Sequence, residues 1–429
     1  MEKVLRKTVM PGVNLLCIRT DKFKTGYFSV SLLRHLSREN AAKDCIIPRV
    51  LKRGCSRYPD MASLSAALDE LYGAVAEPAL RQRGEVLCTG FVSSFVDGRY
   101  LPGNPDTLEK TVGLVAQLLL DPATRDGLLS AEYVNSEKEI LCDDIRACVN
   151  DKRAYAARRL RETMCAGEDY AAYAYGSLES VEKINYVTLT RYYREMLAES
   201  EIYMFYCGSA DIARVELAVK EAFAALPRAD AFVETVTDVR TTVDEERYIT
   251  EEMDVLQGNL SIGFRMGETM YRPNYAAISV FNTIYGGGVT SKLFNNVREK
   301  LSLCYYASSS VDSHKGIMTV ASGIEPDKYS EALGEILRQL DDCREGSISD
   351  REFDTAKSYL TAAVRSYGDS QRLMDDFYLT QELHELKCSL DEYAELIELV
   401  SKDDVVQIAR SVRLDTVYFL RNREGESGI

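Results

Sequence analysis

The sequence predicts an α+β fold built from two similar layered halves. Three observations carry that expectation. A chain of 429 residues is too long for one ordinary hydrophobic core. The order of strand-like and helix-like stretches before residue 224 is met again after residue 256. Two distant segments, "YGSLESVEKINYVTLTRYYREML" and "CSLDEYAELIELVSKDDVVQIAR", read as the same unit used twice. The expected division is 1–224, a linker with entry to the second half over 225–255, and 256–429.

The elements follow in order. "VNLLCIRT" and "YFSVSLLRHL" are β-rich and open the chain as extended segments. A helical stretch runs from Asn40 to about Arg53, and "MASLSAALDELYGAV" carries apolar residues at helical spacing. "GEVLCTGFVSSFV" is strand-like and "DTLEKTVGLVAQLLLD" helical; a long helical pattern then spans Ser130 to Met164. "TLTRYYREMLAES" reads as helix and "EIYMFYCGS" as a buried strand. The polar, aperiodic "TVTDVRTTVDEERYITEEMD" is the best linker in the chain. Then strand "GNLSIGFRMG", helix "NYAAISVFNTIYGGG", strand "KGIMTVASGIE" and helix "YSEALGEILRQLDD" repeat the order. A helical run from Asp350 to about Leu386, the helix "SKDDVVQIARSV" and the strand "TVYFLRN" complete it.

Composition is that of a soluble globular protein, 46% hydrophobic and 28% charged. The net charge of -15 argues against a nucleic-acid backbone or an anionic membrane surface as a general partner. Basic and neutral peptides fit that charge equally well. Eleven cysteines, at 17, 45, 55, 88, 142, 148, 165, 207, 304, 343 and 388, form no CxxC pair and often lie in apolar runs. That pattern predicts buried free thiols in a reducing compartment. No apolar run is long enough for a signal peptide or a membrane span, so a cytoplasmic location is expected.

The most specific stretch is "YGGGVTSKLFNNVREKLSLCYYASS", Tyr285 to Ser309. It is no phosphate loop, because the glycines lack a GK[ST] at the required offset. As plain structure it is a helix C-terminus at Gly286–Gly288 followed by another helix. It closely resembles the second-domain signature of the insulinase-like (pitrilysin family) zinc peptidases: a glycine-rich turn, a Ser-x-Leu-Phe helix start, then Arg-Glu-Lys-x-x-Leu-x-Tyr. Arg298 and Tyr305 hold the Arg and Tyr positions. The resemblance spans nearly the whole chain, including the N-terminal "RG" turn, the "LDELYGA" helix and "YAYGSLESVEKI".

The resemblance implies two homologous layered α/β-sandwich domains of the pitrilysin/mitochondrial processing peptidase type. In this family such a pair joins a second unit to enclose a peptide-binding chamber. It also implies that Arg298 and Tyr305, with Gly286, Gly287 and Gly288, face the peptide. If the helix persisted, those two side chains would lie about two turns apart on one face. The alternative is a charged helix end and a half-buried aromatic. Among family members the chain is most similar to the non-catalytic bacterial proteins named for elongation factor P 5-aminopentanol modification.

Active members carry an inverted zinc motif, His-x-x-Glu-His, on a helix. Its histidines bind zinc from one face while the glutamate activates a metal-bound water. Anchored on Arg53-Gly54-Cys55, this sequence places Cys45, Pro48 and Arg49 at those positions, within "CIIPRVLKRG". Cysteine can ligate zinc, but proline offers no base and arginine stays cationic. The family's later carboxylates match Glu137 and Asp144 in "SEKEILCDDI", with Asp where the third ligand is Glu. A solvated acidic helix face is the plain alternative. If the fold is kept, Arg49 is expected to project toward these carboxylates, and Pro48 to kink or shorten its helix.

No second metal site is expected. The three histidines, His35, His314 and His384, show neither HxxxH nor HxH spacing. Cys45 lacks an obvious base, so a buried thiol is the better reading than a nucleophile. The expectation is therefore a non-catalytic subunit with no metal and no cofactor. It would bind a peptide or small protein and pair with a His-x-x-Glu-His homologue, or with itself in isolation. The alternatives are an atypical metallopeptidase using Cys45, Asp144 and a histidine, or a peptide-binding scaffold homodimer.

Overall fold

Thirteen strands, most of them in two mixed sheets, organise this computed structural model, which describes residues 3–270, 272 and 274–423. In chain order they are β1 (Lys3–Met10), β2 (Val13–Arg19), β3 (Thr25–His35), β4 (Val75–Arg83) and β5 (Val86–Val96). A two-residue hairpin follows, β6 (Thr124–Arg125) with β7 (Leu128–Leu129), and then β8 (Glu201–Gly208). The rest are β9 (Arg247–Glu252), β10 (Gly258–Arg265), β11 (Tyr306–Asp312), β12 (Ile317–Ile324) and β13 (Arg413–Arg421).

The first sheet has the order β1-β2-β8-β3-β5-β4 and the second β11-β12-β10-β13-β9. Read backward, the second becomes β9-β13-β10-β12-β11, which matches β2-β8-β3-β5-β4 strand for strand. Directions match too. β8 is parallel to β2 and antiparallel to β3, as β13 is parallel to β9 and antiparallel to β10. One α/β-sandwich topology has been used twice, with β1 added to the first copy. Strands β3, β8 and β10 are buried along almost their whole length, which is why they read as near-continuous apolar runs.

The chain forms two compact units. The first is Met1–Arg146, Ala172–Val236 and Asp375–Leu379; the second is Ala147–Ala171, Thr237–Met374 and Thr380–Ile429. The main junction falls between Val236 and Thr237, and each unit also takes a segment encoded in the other half. Two helix breaks accompany this. The pattern over Ser130–Met164 is two helices, Ala131–Ala147 and Lys152–Met164, the second capped by Asp151. The run from Asp350 likewise splits into Asp350–Ser366 and Gln371–Leu383, with Ser370 as the cap.

Helix Lys152–Met164 packs on β10 and β13 of the second unit. At Gly263 an added Cβ would come within 2.5 Å of Met164 Sδ, so a side chain there would have to displace the methionine that packs over the sheet. Beyond this helix, Glu168 meets the fully buried Arg265 at 2.5 Å and Lys315 at 2.7 Å, while Asp415 holds Arg265 at 3.0 Å. The first unit has a counterpart. Asp375 is fully buried, paired with Arg81 at 2.8 Å, and accepts from Tyr27 and Ser29 at 3.0 Å.

Other departures from the sequence expectation concern edges. The supposed linker contains β9, paired parallel to β13. Edge strands β1, β4 and β11 were not expected as strands; the helix begun at Met61 ends at Glu70, and β4 starts after Tyr72, whose φ is +60°.

Candidate functional site

The degenerate motif lies on helix Ala41–Leu51. Pro48 neither ends nor shortens it below three turns: the helix continues to Leu51, and Lys52 N–H still bonds Pro48 O at 3.0 Å. The reason is local. A proline cannot donate to the carbonyl four residues earlier, which here belongs to Asp44. That carbonyl accepts instead from Thr89 Oγ1 of β5 at 2.7 Å. The bond lost within the helix is replaced by one from the sheet.

Arg49 Nη1 lies 2.7 Å from Asp144 Oδ2 on helix Ala131–Ala147, and its guanidinium stands 5.3 Å from the Tyr175 ring centroid. Glu137 is held by a different residue. Arg53 Nε reaches its Oε1 at 2.5 Å, and Arg53 Nη2 donates to Ser136 Oγ at 3.1 Å. Arg49 and Arg53 are four residues apart, and Glu137 and Asp144 seven, so two matched faces meet. Arg53 served only as an alignment anchor in the sequence, although its spacing from Arg49 carried the signal.

Cys45 is buried, and burial pushes its thiol up to about 11, with Arg49 pulling it down and Asp144 raising it further. These residues do not fit zinc. A dication at this position would meet the guanidinium that holds the remaining carboxylate, and Pro48 supplies no base. Among the described residues no group of three or more His, Cys, Asp or Glu side chains is placed to hold a metal ion. His35 ends β3. His314 and His384, far apart in sequence, are both buried with ring centroids 4.3 Å apart, and burial lowers His384 below the usual imidazole range. No sequence spacing signalled that pair.

Beside Cys45 lies a buried polar cluster that the sequence did not reveal. Asp44 is fully buried, accepts from Tyr192 OH at 2.7 Å and stands 3.6 Å from Arg34 Nε. Arg34 Nη2 in turn donates to Tyr192 OH at 3.2 Å.

In the second unit the signature segment takes wide, π-type turns at Thr283–Gly287 and Leu293–Lys300. Such turns are rare and occur often at functional sites. Gly286 is buried against β11, where a Cβ would come within 2.7 Å of Ser309 N; Gly287 is exposed and Gly288 half-buried. The helix does not persist to Tyr305. It ends at Lys300, Ser302 turns back with φ +50°, and Tyr305 N–H bonds Gly323 O at 2.8 Å just before β11. Arg298 and Tyr305 are nevertheless brought together by this turn. Both line a cavity of about 400 Å³ with Ser302, Cys304, Glu325 and Lys328, and the glycines are outside that lining. Arg298 sits 4.8 Å from the Phe294 ring centroid and 3.4 Å from Glu299. Tyr305 is 61% exposed and its hydroxyl donates to Glu325 at 3.3 Å.

Comparison with known proteins sets these sites in context. Residues 183–360 match the family model described as "Peptidase M16 inactive domain". The chain is 32% identical over 416 residues, covering 97% of both sequences, to the "probable inactive metalloprotease YmfF" of Bacillus subtilis. It superposes on a conserved protein from Enterococcus faecalis with a TM-score of 0.88 at 27% identity, over 99% of this chain and all of that one. A structure titled peptidase M16 inactive domain, from Pseudomonas fluorescens, matches with a TM-score of 0.80 over 99% of this chain and 100% of that chain, at 15% identity.

Proposed function

Because this chain belongs to the M16 (pitrilysin-type) metallopeptidase family as a non-catalytic member, we propose that it binds peptide and works beside a zinc-bearing homologue. The observation that carries the reading is a contrast between the two units. In the first, the metal-motif positions are taken up by arginine–carboxylate pairs. In the second, Arg298 and Tyr305 still share one solvent-open cavity.

The chemistry of that cavity suits an extended backbone. Arg298 presents a fork of donors beside the Phe294 ring, with a 3.4 Å ion pair to Glu299, and the Tyr305 hydroxyl makes one long bond. Both can exchange these contacts for peptide carbonyls at little cost, since exposed ion pairs contribute less than about 1 kcal/mol. This chain would supply binding surface, and the partner would supply the zinc and the water-activating base. Eleven free cysteines, most of them buried, agree with a cytoplasmic setting, and no helix among the described residues is long and apolar enough to cross a membrane.

The test is reconstitution. A homologue with an intact His-x-x-Glu-His motif from the same source is assayed on quenched fluorescent peptides with and without this chain. Cleavage should rise when it is added, and the Arg298→Ala/Tyr305→Phe double variant should lose most of the gain while keeping its Tm. No effect on the partner, together with peptide binding by the chain alone, would favour a scaffold homodimer. Chelator-sensitive cleavage by the chain alone would instead favour the atypical peptidase.

A further inference from the structure

The basic residues at the end of the motif helix do not act alike. Arg49 and Arg53 hold Asp144 and Glu137, whereas Lys52 turns toward β4. Its ammonium donates to the Ala76 carbonyl and pairs with Glu77 at 3.1 Å. β4 is an edge of the first sheet, with β5 as its neighbour. An edge strand offers a row of unpaired N–H and C=O groups, which is where an extended peptide or a second chain adds.

The β4–β5 ladder is regular from Val75↔Ser94 to Arg83↔Val86, and Pro78 lies inside it opposite Phe91. Proline has no N–H, so it fits a regular ladder only where its nitrogen faces away from the neighbouring strand. Alternation then places Ala76, Pro78, Leu80 and Gln82 in the outward row. In that row the Ala76 carbonyl is taken by Lys52, Pro78 has no donor, and the Gln82 carbonyl accepts from Arg83 Nη1 at 3.0 Å. In that row, then, Pro78 lacks a donor, and the Ala76 and Gln82 carbonyls each already accept a bond from a cationic side chain.

We infer that the β4 edge is closed to strand addition by Lys52, Pro78 and Arg83, so no extended peptide pairs with the sheet beside the former metal motif. Strand addition to the first sheet is then left to its other edge, β1, and peptide lying along the Arg298–Tyr305 cavity is held in the second unit. That last clause rests on the peptide-binding reading given above; the closure of β4 does not.

Hydrogen exchange with mass spectrometry tests both. The probe is a soluble peptide of about twelve residues alternating Val and Lys, which favours the extended state. In the wild-type chain, residues 75–83 should exchange at the same rate with and without peptide. In Lys52→Ala/Pro78→Val, peptide should slow exchange there roughly tenfold, or the variant should self-associate through the opened edge. Pro78→Val alone should show a smaller effect in the same direction, which keeps the test available if the double variant fails to fold. Peptide-dependent protection of 75–83 in the wild type overturns the closure, as does a folded variant showing neither protection nor association. A wild-type chain protected nowhere by peptide would instead overturn the peptide-binding reading, with the closure still decided by the variant.

Discussion

Removing Arg53 and removing Arg49 should not cost the same. The Arg53–Glu137 pair is mostly buried, with Glu137 at 9% side-chain exposure, whereas Asp144 is 42% exposed. Arg53→Ala strands a largely desolvated carboxylate and should cost roughly 2 kcal/mol. Arg49→Ala leaves a carboxylate that water can reach and should cost about 0.5–1 kcal/mol. Urea denaturation of the two variants checks the order, and equal losses would remove the distinction. Asp44 gives a pH-dependent counterpart. Burial pushes its carboxyl up from 3.8 to about 6, against the pull of Arg34 and Tyr192. The folded state then holds the proton more tightly than the unfolded chain does, so this group's contribution to stability falls as pH rises from about 4 to about 6. Wild type should lose ground to Asp44→Asn across that window, by up to roughly 1.4 kcal/mol per pH unit. Denaturation curves at both ends of the window measure it, and a constant difference would mean that Asp44 does not titrate there.

Helix Ala41–Leu51 depends on the sheet beneath it for one of its own hydrogen bonds. Thr89→Val leaves the Asp44 carbonyl buried without its donor and should cost about 1–2 kcal/mol. In a Pro48→Ala background the residue 48 N–H can serve that carbonyl, so the same substitution should cost less. A double-mutant cycle with coupling near zero would show that Thr89 is not compensating for the proline. The same helix shows how far the sequence was legible. Its position could be read from local pattern; that Cys45, Pro48 and Arg49 stand where active relatives carry the zinc motif was implied by the family resemblance, and residue type alone then says that the motif chemistry is lost. Its continuation past Pro48 could not, because the rescuing donor lies 41 residues later on β5. Buried central strands announced themselves as apolar runs. Edge strands β1, β4, β9 and β11 did not, since half-solvated strands carry polar residues and, in β4, a proline. In the candidate cavity, Arg298 and Tyr305 were readable as positions, but the turn at Ser302 that joins them has no signature beyond a serine in a left-handed conformation.

For the molecule as a whole, the duplication was visible in the order of elements and the exchange of segments was not, because exchange is decided by packing between distant parts of the chain. Fragments 1–236 and 237–429, made separately, should each fail to fold, the first without Asp375–Leu379 and the second without Ala147–Ala171. Circular dichroism and amide exchange should show native structure only after mixing; an independently stable first fragment would contradict this. In the intact chain, Asp375→Asn removes the buried partner of Arg81 and leaves it the half-exposed Asp376 at 3.0 Å, so the change should cost about 1–3 kcal/mol, with faster exchange in β3 and β4. The place of Asp375 in the chain also sets a schedule for synthesis. The last strand of the first sheet is complete at Gly208, and 375 − 208 = 167 residues must still be translated before Asp375 exists. At about 5–20 residues per second that interval is roughly 8–30 s. Throughout it, Arg81, Tyr27 and Ser29 of a nearly finished sheet are without the Asp375 carboxylate while the nascent chain remains attached to the ribosome.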